Sequence, residues 1–382
     1  MKILHIISTL SPTSGGPAQT INNITGEFSQ REGVSIEVVS LDSPNASWMQ
    51  NINYRIYPLG PSFGKYGFNF KLIPWLKKYA DDYDAIFIHG LWQFIGLAAW
   101  STLRNKKKSY FIFPHGMLDP WFKETYFLKH IKKWFYWLIV EHRVLRDAQK
   151  VLFTSDIESQ DAPKSFSLYK VNGYVISYGV SPPPRNTKPL RNLFFLSYPK
   201  LKGKRIFLFL GRIHRKKGCD LLIEAFAEIA KQDSSFHLVM AGPDKEGMTK
   251  KLKKEALDLN VAHQITWTGI LTGDIRWGAY YASEVFCLPS HQENFGLSVV
   301  EALGCGKPVL ISNKINIWNK IKLEGAGLVD SDSLDGTLRN FKAWLSMPEN
   351  DKRRMQAKAL PCFNKHFTIE KLCDEIIKLA QP

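Results

Sequence analysis

The chain has 382 residues, which at roughly 150 residues per domain is too long for one hydrophobic core and long enough for two. Its 45% hydrophobic and 23% charged residues are typical of a globular protein and exclude a mostly disordered, collagen-like or coiled-coil chain. The 51 Lys and Arg against 35 Asp and Glu give a net charge of +16, which indicates a polyanionic partner such as a nucleic acid, a phosphorylated ligand or an anionic membrane.

The start of the chain and its cysteines indicate a cytoplasmic protein. Segment 2–8 is a short apolar run interrupted by His5 with no cleavage site after it, so we predict a buried strand and not a signal peptide. No apolar run reaches the roughly 18 residues that span a bilayer. The five cysteines form no Cys-x-x-Cys pair and lie scattered in apolar segments, unlike a disulfide framework.

The first half alternates runs rich in Ile, Val, Leu and Phe with helical patterns. This alternation is typical of βαβ units, in which both faces of a parallel sheet are covered. The predicted strands are 2–8, 36–41, 85–89, 110–114, 150–153 and 174–178.

A glycine loop follows the first strand. Gly15 and Gly16 permit a tight turn, and Pro17 suits the first position of a helix. The free amides of such a helix start can hold a phosphate, although a plain turn explains the same residues. The dinucleotide and P-loop glycine patterns are absent, which argues against a dehydrogenase and a P-loop protein.

Residues 104–150 are the most basic and aromatic part of the chain, with eleven Lys or Arg against four Asp or Glu. Cations interleaved with aromatic rings suit an element that lies in a membrane surface, where each cation gains about 1 kcal/mol from anionic lipid. A core helix with a solvated lysine face explains the pattern equally well, because 134–140 is apolar on all sides.

The proline-rich segment 181–189 predicts an interdomain linker. We expect domains at 1–185 and 186–364, and a helix at 365–382 that crosses back to the first domain. The second half then repeats the alternation, with strands at 205–210, 237–242, 264–268, 285–289 and 308–311 and helices at 219–231, 248–259, 273–282, 296–304 and near 333–345. Ligands of such sheets bind outside the carboxyl ends of the strands, so two facing sheets create a cleft.

The loop 211–218, directly after a predicted strand, contains four cations. Among them Arg212 and Lys217 are next to glycines. Such a loop suits the clamping of a diphosphate, since Arg binds two oxygens at once and Lys supplies a point charge, although a solvated basic loop would look the same.

Two glutamates eight positions apart, Glu293 and Glu301, bracket a strand-to-helix turn. We expect Gly296 to open the helix, with Glu301 on an early turn. One carboxylate can then hold a ribose and the other a sugar, while the amides of Gly296 to Ser298 donate to a phosphate. Alternatively, Glu301 compensates the helix dipole and Glu293 is a surface acid.

With these motifs the chain resembles the retaining glycosyltransferase family 4, which includes bacterial hexosyltransferases of polysaccharide and glycolipid synthesis. The family's E-x7-E motif matches Glu293 to Glu301, its G-R-x4-K-G motif matches 211–218, and its glycine loop matches Gly15 and Gly16. The likeness covers essentially the whole chain, including the His-Gly pair within 113–117. It implies an α/β GT-B fold, two Rossmann-like doubly wound domains that face each other across a cleft.

The resemblance also implies roles for the matched residues. Arg212 and Lys217 would neutralise the leaving nucleoside diphosphate, and Glu301 would bind the ribose. Glu293 would hold the donor sugar, which His115 would approach from the opposite domain as a hydrogen-bonding group and not as a general base. The implied catalytic residues are Glu293, His115, Arg212 and Lys217, and the implied donor-binding residues are Gly15, Gly16, Arg212, Lys217, Asn294, Phe295, Gly296, Leu297, Ser298 and Glu301.

No metal and no cofactor are expected, because a fixed cationic clamp can stabilise the charge that develops on a leaving diphosphate. We interpret the D-x-D sequence at Asp330 and Asp332 as a helix cap. The acceptor is expected on the first domain, at loops 61–70 and 89–92. On the same domain, Trp92 and Trp121 could stack on a sugar, although buried packing explains each ring as well.

The sequence therefore predicts a cytoplasmic, metal-independent hexosyltransferase, peripheral to the inner face of the plasma membrane. It would move glucose or a related hexose from a UDP-sugar such as UDP-glucose to a saccharide or lipid-linked saccharide acceptor, in polysaccharide or glycoconjugate biosynthesis. The alternatives are a nucleotide-sugar epimerase or phosphorylase of the same fold, or a non-catalytic protein that binds nucleotide sugar or membrane. No specific nucleic-acid partner is expected, because no nucleic-acid-binding motif occurs.

Overall fold

The computed structural model describes residues 1–106 and 108–381. The chain forms two compact units. The first consists of Met1–Ser181 and the C-terminal segment from Ile369, and the second is Pro182–Thr368. The unit boundaries thus lie at 181/182 and 368/369, where we expected 185/186 and 364/365.

The first unit is built on a parallel sheet of seven strands in the order β3-β2-β1-β4-β5-β6-β7. The strands are β1 Lys2–Ile7, β2 Ser35–Ser40, β3 Ile56–Pro58, β4 Ala85–His89, β5 Tyr110–Phe113, β6 Lys150–Phe153 and β7 Gly173–Val175. All six predicted strands are present, and β7 is shorter than expected. The edge strand β3 was missed because it has three residues and all of them are only half-buried, so no apolar run marks it.

Helices cover this sheet on the connections between its strands. They are α1 Gly16–Phe28, α2 Leu72–Tyr79, α3 Phe94–Lys106, α4 Trp121–Thr125, α5 Phe127–Tyr136, α6 His142–Arg146 and α7 Asp156–Asp161. A π-helical turn, Trp137–Glu141, joins α5 to α6. Helix α5 contains no buried residue, so it lies on the surface along its whole length.

The second unit repeats the design with six parallel strands in the order β10-β9-β8-β11-β12-β13. The strands are β8 Arg205–Leu210, β9 Phe236–Ala241, β10 Ile265–Gly269, β11 Val285–Leu288, β12 Val309–Ser312 and β13 Gly327–Asp330. In both sheets the chain starts in the middle, runs to one edge and then returns to build the other side. This is the doubly wound order in which ligands bind beyond the strand ends, and it confirms the predicted α/β class with two Rossmann-like sheets.

The helices of the second unit include three that the sequence analysis missed, at 187–197, 318–324 and 349–366. In chain order, the helices of this unit are α8 Thr187–Ser197, α9 Cys219–Ala230, α10 Met248–Asp258, α11 Gly273–Ala282, α12 Leu297–Gly304, α13 Trp318–Glu324, α14 Leu334–Ser346 and α15 Glu349–His366. The predicted linker 181–189 is wrong from Thr187 onward, because Pro189 lies in the first turn of α8, where a missing N–H costs no helical hydrogen bond. Helix α15 was missed because its apolar pattern is weak and Pro361 lies inside it.

The last helix, α16 Ile369–Ala380, belongs to the first unit. Its buried residues recur at helical spacing and give one apolar face, which packs against α1. Arg31 contacts Asp374, and the N–H of Ile369 donates to the carbonyl of Val180 at 3.1 Å. All five cysteines are buried and unpaired.

Candidate active site

Three loops of the second unit are joined to one another at the carboxyl ends of β8, β11 and β12. The loop after β8 contributes the carbonyl of Lys216, which accepts hydrogen bonds from the Ser290 hydroxyl and from the His291 N–H, both at 2.8 Å. The Ser312 hydroxyl, at the end of β12, donates to the carbonyl of Ser290. These contacts bring the predicted cation loop 211–218 and the segment that contains Glu293 into one cluster.

Gly218 shows why the cation loop needs a glycine at its end. Its φ of +63° is left-handed, and a Cβ at this position would overlap the carbonyl oxygen of Pro289 in the neighbouring loop. Glycine therefore allows the tight turn Arg215–Lys217 to lie directly against the end of β11. The side chain of Lys217, the last residue of this turn, is directed toward the loop that follows β11.

Lys217 forms an ion pair with Glu293, so the structure brings together two of the predicted catalytic residues. Both side chains are mostly buried, with 13% and 19% of their surfaces exposed. Burial lowers the pKa of the Lys217 ammonium to about 7, and the positive charges of Lys216 and Arg212 act in the same direction. The Glu293 carboxylate opposes them, because an adjacent negative charge favours the protonated amine. Arg212, which precedes Lys217 in the same loop, is exposed.

The backbone of Glu293 is fixed by the loop after β12. Its N–H donates to the carbonyl of Lys314 at 2.9 Å, and its carbonyl accepts from the N–H of Asn316 at 3.0 Å. The carboxylate therefore projects from a backbone that is held on both sides. Segment 313–317, which has no glycine, sets the position of this acid.

Helix α12 begins at Leu297, one residue later than predicted, with Gly296 as its left-handed N-terminal cap. The amides of Gly296, Leu297 and Ser298 precede the first hydrogen bonds within the helix, which start at the N–H of Val299. These amides and the positive end of the helix can accommodate a phosphate. The preceding Phe295 is buried and packs edge-on against Phe367 at 5.9 Å between ring centres, and Asn294 is half-buried.

Glu301 lies on the second turn of α12, as expected, and its side chain is only 2% exposed. Arg276 forms an ion pair with one of its oxygens, and the Tyr280 hydroxyl donates to the other at 2.8 Å. Burial raises the pKa of Tyr280 well above its ordinary value, and the Glu301 charge adds to this effect. A carboxylate oxygen can accept two hydrogen bonds, and ribose hydroxyls can donate them. Ribose binding by Glu301 stays a prediction.

Arg276 and Tyr280, both on α11, were missed by the sequence analysis. They stand four positions apart and therefore on one face of the helix, which was the only local signal. Their meeting with α12 depends on the packing of two helices that are distant in the sequence.

In the first unit, the glycine loop opens helix α1 as predicted. Gly15 is the N-terminal cap with φ +89°, and Pro17 lies in the first turn. No described atom lies within 4 Å of where a Cβ at Gly15 would stand, so the loop presents open backbone beside the helix start. Phosphate binding by Gly15 and Gly16 stays a prediction.

His115 lies two residues after the end of β5 and has a left-handed backbone, with φ +51°, as has Gly116, with φ +76°. The N–H of Gly116 donates to the carboxylate of Glu158 at 2.7 Å. The second oxygen of Glu158 accepts from the backbone and side chain of Thr154 at 2.7 and 2.8 Å. Glu158, which the sequence analysis missed, thus holds the strained turn that presents His115.

The two tryptophans predicted at the acceptor site are engaged in the protein. Trp92 has φ +65°, packs against Trp137 and Phe166, and donates its indole N–H to the carbonyl of Met117 at 3.3 Å. Trp121 starts α4 and lies edge-on to Phe122 and Tyr126. Both rings are half-buried. Their contact with an acceptor stays a prediction.

The interpretation of the D-x-D sequence as a helix cap is wrong. The cap of α14 is Ser333, whose hydroxyl accepts from the N–H of Gly336 at 3.1 Å. Asp330 instead pairs with Arg339, which lowers its pKa to about 2, and Asp332 lies 3.0 Å from Nδ1 of His291. Within 1–106 and 108–381, no three His, Cys, Asp or Glu side chains are grouped in a way that could hold a metal ion.

Comparison with known families assigns each unit. Residues 15–179 match the model of the glycosyl transferase 4-like domain, and residues 192–359 match that of the glycosyl transferases group 1. Together the two models cover both doubly wound sheets except strand β1, which precedes residue 15.

Individual relatives agree with these models. The chain is 24% identical to the GDP-mannose:cellobiosyl-diphosphopolyprenol alpha-mannosyltransferase of Komagataeibacter xylinus, over 87% of this chain and 81% of that protein. It is 33% identical to the 2-deoxystreptamine N-acetyl-D-glucosaminyltransferase of Niallia circulans, over 30% and 29% of the two chains. Five curated relatives, including the Niallia circulans enzyme, are matched over only 29% to 40% of their own length.

Among solved structures, Anabaena HepE in complex with UDP and glucose superposes with a TM-score of 0.77 at 16% identity, over 99% of both chains. At 16% identity, this likeness shows a shared fold and nothing further.

Proposed function

This chain belongs to the GT-B glycosyltransferases of the family 4 type, and we propose that it is a retaining, metal-independent hexosyltransferase with UDP-glucose or a related UDP-sugar as its donor. The acceptor in this proposal is a saccharide or lipid-linked saccharide, and the product a polysaccharide or glycoconjugate. One observation carries the proposal. The clamp lysine, the first acid of the E-x7-E pair and the start of α12 are gathered at the carboxyl end of one sheet.

The donor is proposed to break the ion pair between Lys217 and Glu293. When a diphosphate binds, the Lys217 ammonium turns from Glu293 to the phosphate oxygens, and Arg212 adds a second cation. Glu293 is thereby released to accept hydrogen bonds from sugar hydroxyls, and Glu301 accepts those of the ribose. Binding of the nucleotide thus prepares the acid that holds the sugar.

The reaction then needs stabilisation of the leaving group more than it needs a base. The bond between the anomeric carbon and the phosphate oxygen breaks, and the acceptor hydroxyl forms the new bond from the same face. The proton of that hydroxyl goes to the departing phosphate oxygen. Lys217, Arg212 and the amides at the start of α12 stabilise the negative charge that develops on the diphosphate, which removes the need for a metal ion.

Two features support UDP as the nucleotide and a lipid-linked acceptor. The structural neighbour HepE carries UDP and glucose, and the Komagataeibacter relative acts on a diphosphopolyprenol with GDP-mannose. Because these two proteins differ in the base, nucleotide preference is the first property to measure.

Helix α5 supports association with an anionic membrane surface, at the inner face of the plasma membrane. Its apolar residues form one face that points away from the protein, with Leu128 81%, Phe127 63% and Phe135 58% exposed. Lys133 of the same helix packs over the ring of Trp92 at 4.9 Å, and the neighbouring Lys129 and Lys132 are exposed. An outward apolar face with flanking lysines matches lipid tails and anionic headgroups. No described helix is long and apolar enough to cross a bilayer.

The stereochemistry of sugar release tests the proposal. Wild-type protein is incubated with UDP-glucose in the presence of EDTA and without acceptor, and proton NMR identifies the first glucose anomer before it equilibrates in water. A retaining transferase releases α-glucose from this α-linked donor, and Lys217→Ala should abolish the release. Release of β-glucose would contradict retention, and isomerisation of the donor without release of UDP would favour an epimerase. A requirement for phosphate and an oligosaccharide would favour a phosphorylase.

A further inference from the structure

Three histidines on neighbouring strands of the first unit form a continuous chain of hydrogen bonds. His5 lies in β1, His89 ends β4 and His115 follows β5. Nδ1 of His5 is 2.8 Å from Nε2 of His89, and Nδ1 of His89 is 3.0 Å from Nε2 of His115. We call these three residues the histidine chain. It starts inside the sheet and ends at the residue expected to meet the donor sugar.

Aromatic stacking fixes the three rings. His5 stacks on Phe87 at 5.2 Å between ring centres, and His89 stacks on Phe113 at 4.9 Å. His115 lies parallel to His89 at 5.3 Å. Rings held in this way keep their nitrogens in register, so the geometry of the hydrogen bonds is set by the sheet.

Burial keeps all three rings neutral. It lowers the pKa of His5 and His115 to about 3 and that of His89 well below its ordinary value. A neutral imidazole has one N–H and one unprotonated nitrogen. Because both nitrogens of His89 face other imidazoles, it donates to one neighbour and accepts from the other. All protons of the histidine chain must therefore point in the same direction.

The inner end of the chain determines that direction. Nε2 of His5 is buried without a hydrogen-bond partner in the described part of the structure. If the chain donated toward His5, this atom would be a buried N–H without an acceptor, which is rare in proteins. If the chain donates toward His115, the same atom is a bare lone pair. Nε2 of His115 then accepts from His89, and the proton of His115 is on Nδ1.

We propose that His89 and His5 are positioning residues, which hold His115 in the neutral tautomer with its proton on Nδ1, so that it donates a hydrogen bond to an oxygen of the bound nucleotide sugar. This inference rests on the proposed function, because the hydrogen bond from His115 requires that the protein binds a nucleotide sugar. The oxygens of sugars and phosphates accept such a bond. Glu158 fixes the backbone of the turn, and the histidine chain fixes the ring and its proton.

Nitrogen NMR tests the tautomer directly. Long-range correlation spectra of protein labelled with 15N-histidine distinguish protonated from unprotonated ring nitrogens, and a His115→Gln variant assigns the signals. We expect a protonated Nδ1 and an unprotonated Nε2 at His115. His89→Phe preserves a stacked ring and removes both hydrogen bonds, so it should give a mixture of tautomers or the opposite one. His237→Phe, at a buried histidine of the second unit that contacts Thr266, should leave the His115 signals unchanged. A proton on Nε2 of His115 in the wild type, or an unchanged spectrum in His89→Phe, would overturn the proposal.

Donor hydrolysis separates this proposal from the proposed function. UDP-glucose in water is the probe, and melting temperature and UDP affinity show whether each variant is folded. We expect His89→Phe to lower kcat roughly tenfold with KM unchanged, and His89→Gln, which keeps a donor and an acceptor, to recover most of the rate. If His89→Phe does not fold, His5→Phe takes its place. An inactive His115→Ala beside a fully active His89→Phe would refute the positioning role alone, whereas a fully active His115→Ala would refute the assignment of His115 to the reaction.

Discussion

At the scale of single residues, Lys217 links nucleotide binding to pH. In the free protein its pKa is lowered to about 7 by burial and by two neighbouring cations. A bound diphosphate favours the charged amine and raises that pKa. UDP should therefore bind most tightly below pH 7 and progressively more weakly as the pH rises through the free-protein value, with uptake of a proton.

Calorimetry in two buffers with different ionisation enthalpies measures this proton uptake at pH 7.5. Lys217→Arg is the matched control, because it keeps the positive charge and removes the titration, while the ionisation of UDP itself is the same in both proteins. The coupling is disproved if wild type and Lys217→Arg take up equal amounts of protons.

The sequence analysis pointed to the residues of the proposed donor site that belong to motifs, namely the clamp cations, both glutamates and His115. It could not identify Arg276, Glu158 or His89. Each of these residues contacts a partner that is distant in the sequence, and only the folded sheet or the packed helix pair brings the two together. An isolated Arg, Glu or His without a surrounding motif gives no local sign of the residue it will support.

At the scale of elements, the close approach of the loops after β8 and β11 gives Gly218 a structural requirement. Gly218→Ala should lower the free energy of unfolding by roughly 2–5 kcal/mol, since left-handed strain and overlap with the Pro289 carbonyl add together. Gly203→Ala is the control, because Gly203 also has a positive φ but open space around it, and about 1–2 kcal/mol is expected there. Urea denaturation measures both, and equal losses would show that the overlap is relieved without cost.

Helix α5 is the element on which the membrane proposal depends. Phe135→Glu should weaken binding to vesicles with phosphatidylglycerol about tenfold or more, because a buried aromatic ring contributes roughly 1.5–3 kcal/mol. The melting temperature should stay unchanged, since α5 has no buried residue. Leu323→Glu, at a site on α13 that is 83% exposed, is the matched control. Sedimentation with vesicles is the measurement, and equal binding by the two variants would exclude α5 as the contact.

The same helix shows where sequence patterns stop being informative. Residues 104–150 were basic and aromatic enough to suggest a surface element, but a buried helix fitted equally well. The structure separates the two cases within a few residues, because Trp137 is fully buried while Phe135 and Ile139 are exposed. Strong apolar periodicity located most strands and most of the helices of the second unit, and the weakly patterned β3, β13, α8, α13 and α15 were missed.

At the scale of the whole molecule, the two sheets are wound in the same way, and the proposed chemistry divides between their units. The second unit holds the cations, the two glutamates and the helix start, and the first holds the glycine loop and His115. The repeated alternation of strands and helices predicted this architecture well, because buried parallel strands are marked by continuous apolar runs. Nucleotide binding can thus be tested on the residues of the second unit alone.

The most direct test of the central claim is calorimetric titration of UDP, GDP and ADP in EDTA. It compares wild type with Arg212→Ala, with Glu301→Gln and with Arg215→Ala, a control at another exposed cation of the same loop. We expect one nucleoside diphosphate to bind wild type and Arg215→Ala without metal, and affinity to fall about tenfold or more in the other two variants, as charge-assisted hydrogen bonds are lost. Absence of binding by all three nucleotides, or equal binding by all four proteins, would contradict the donor site.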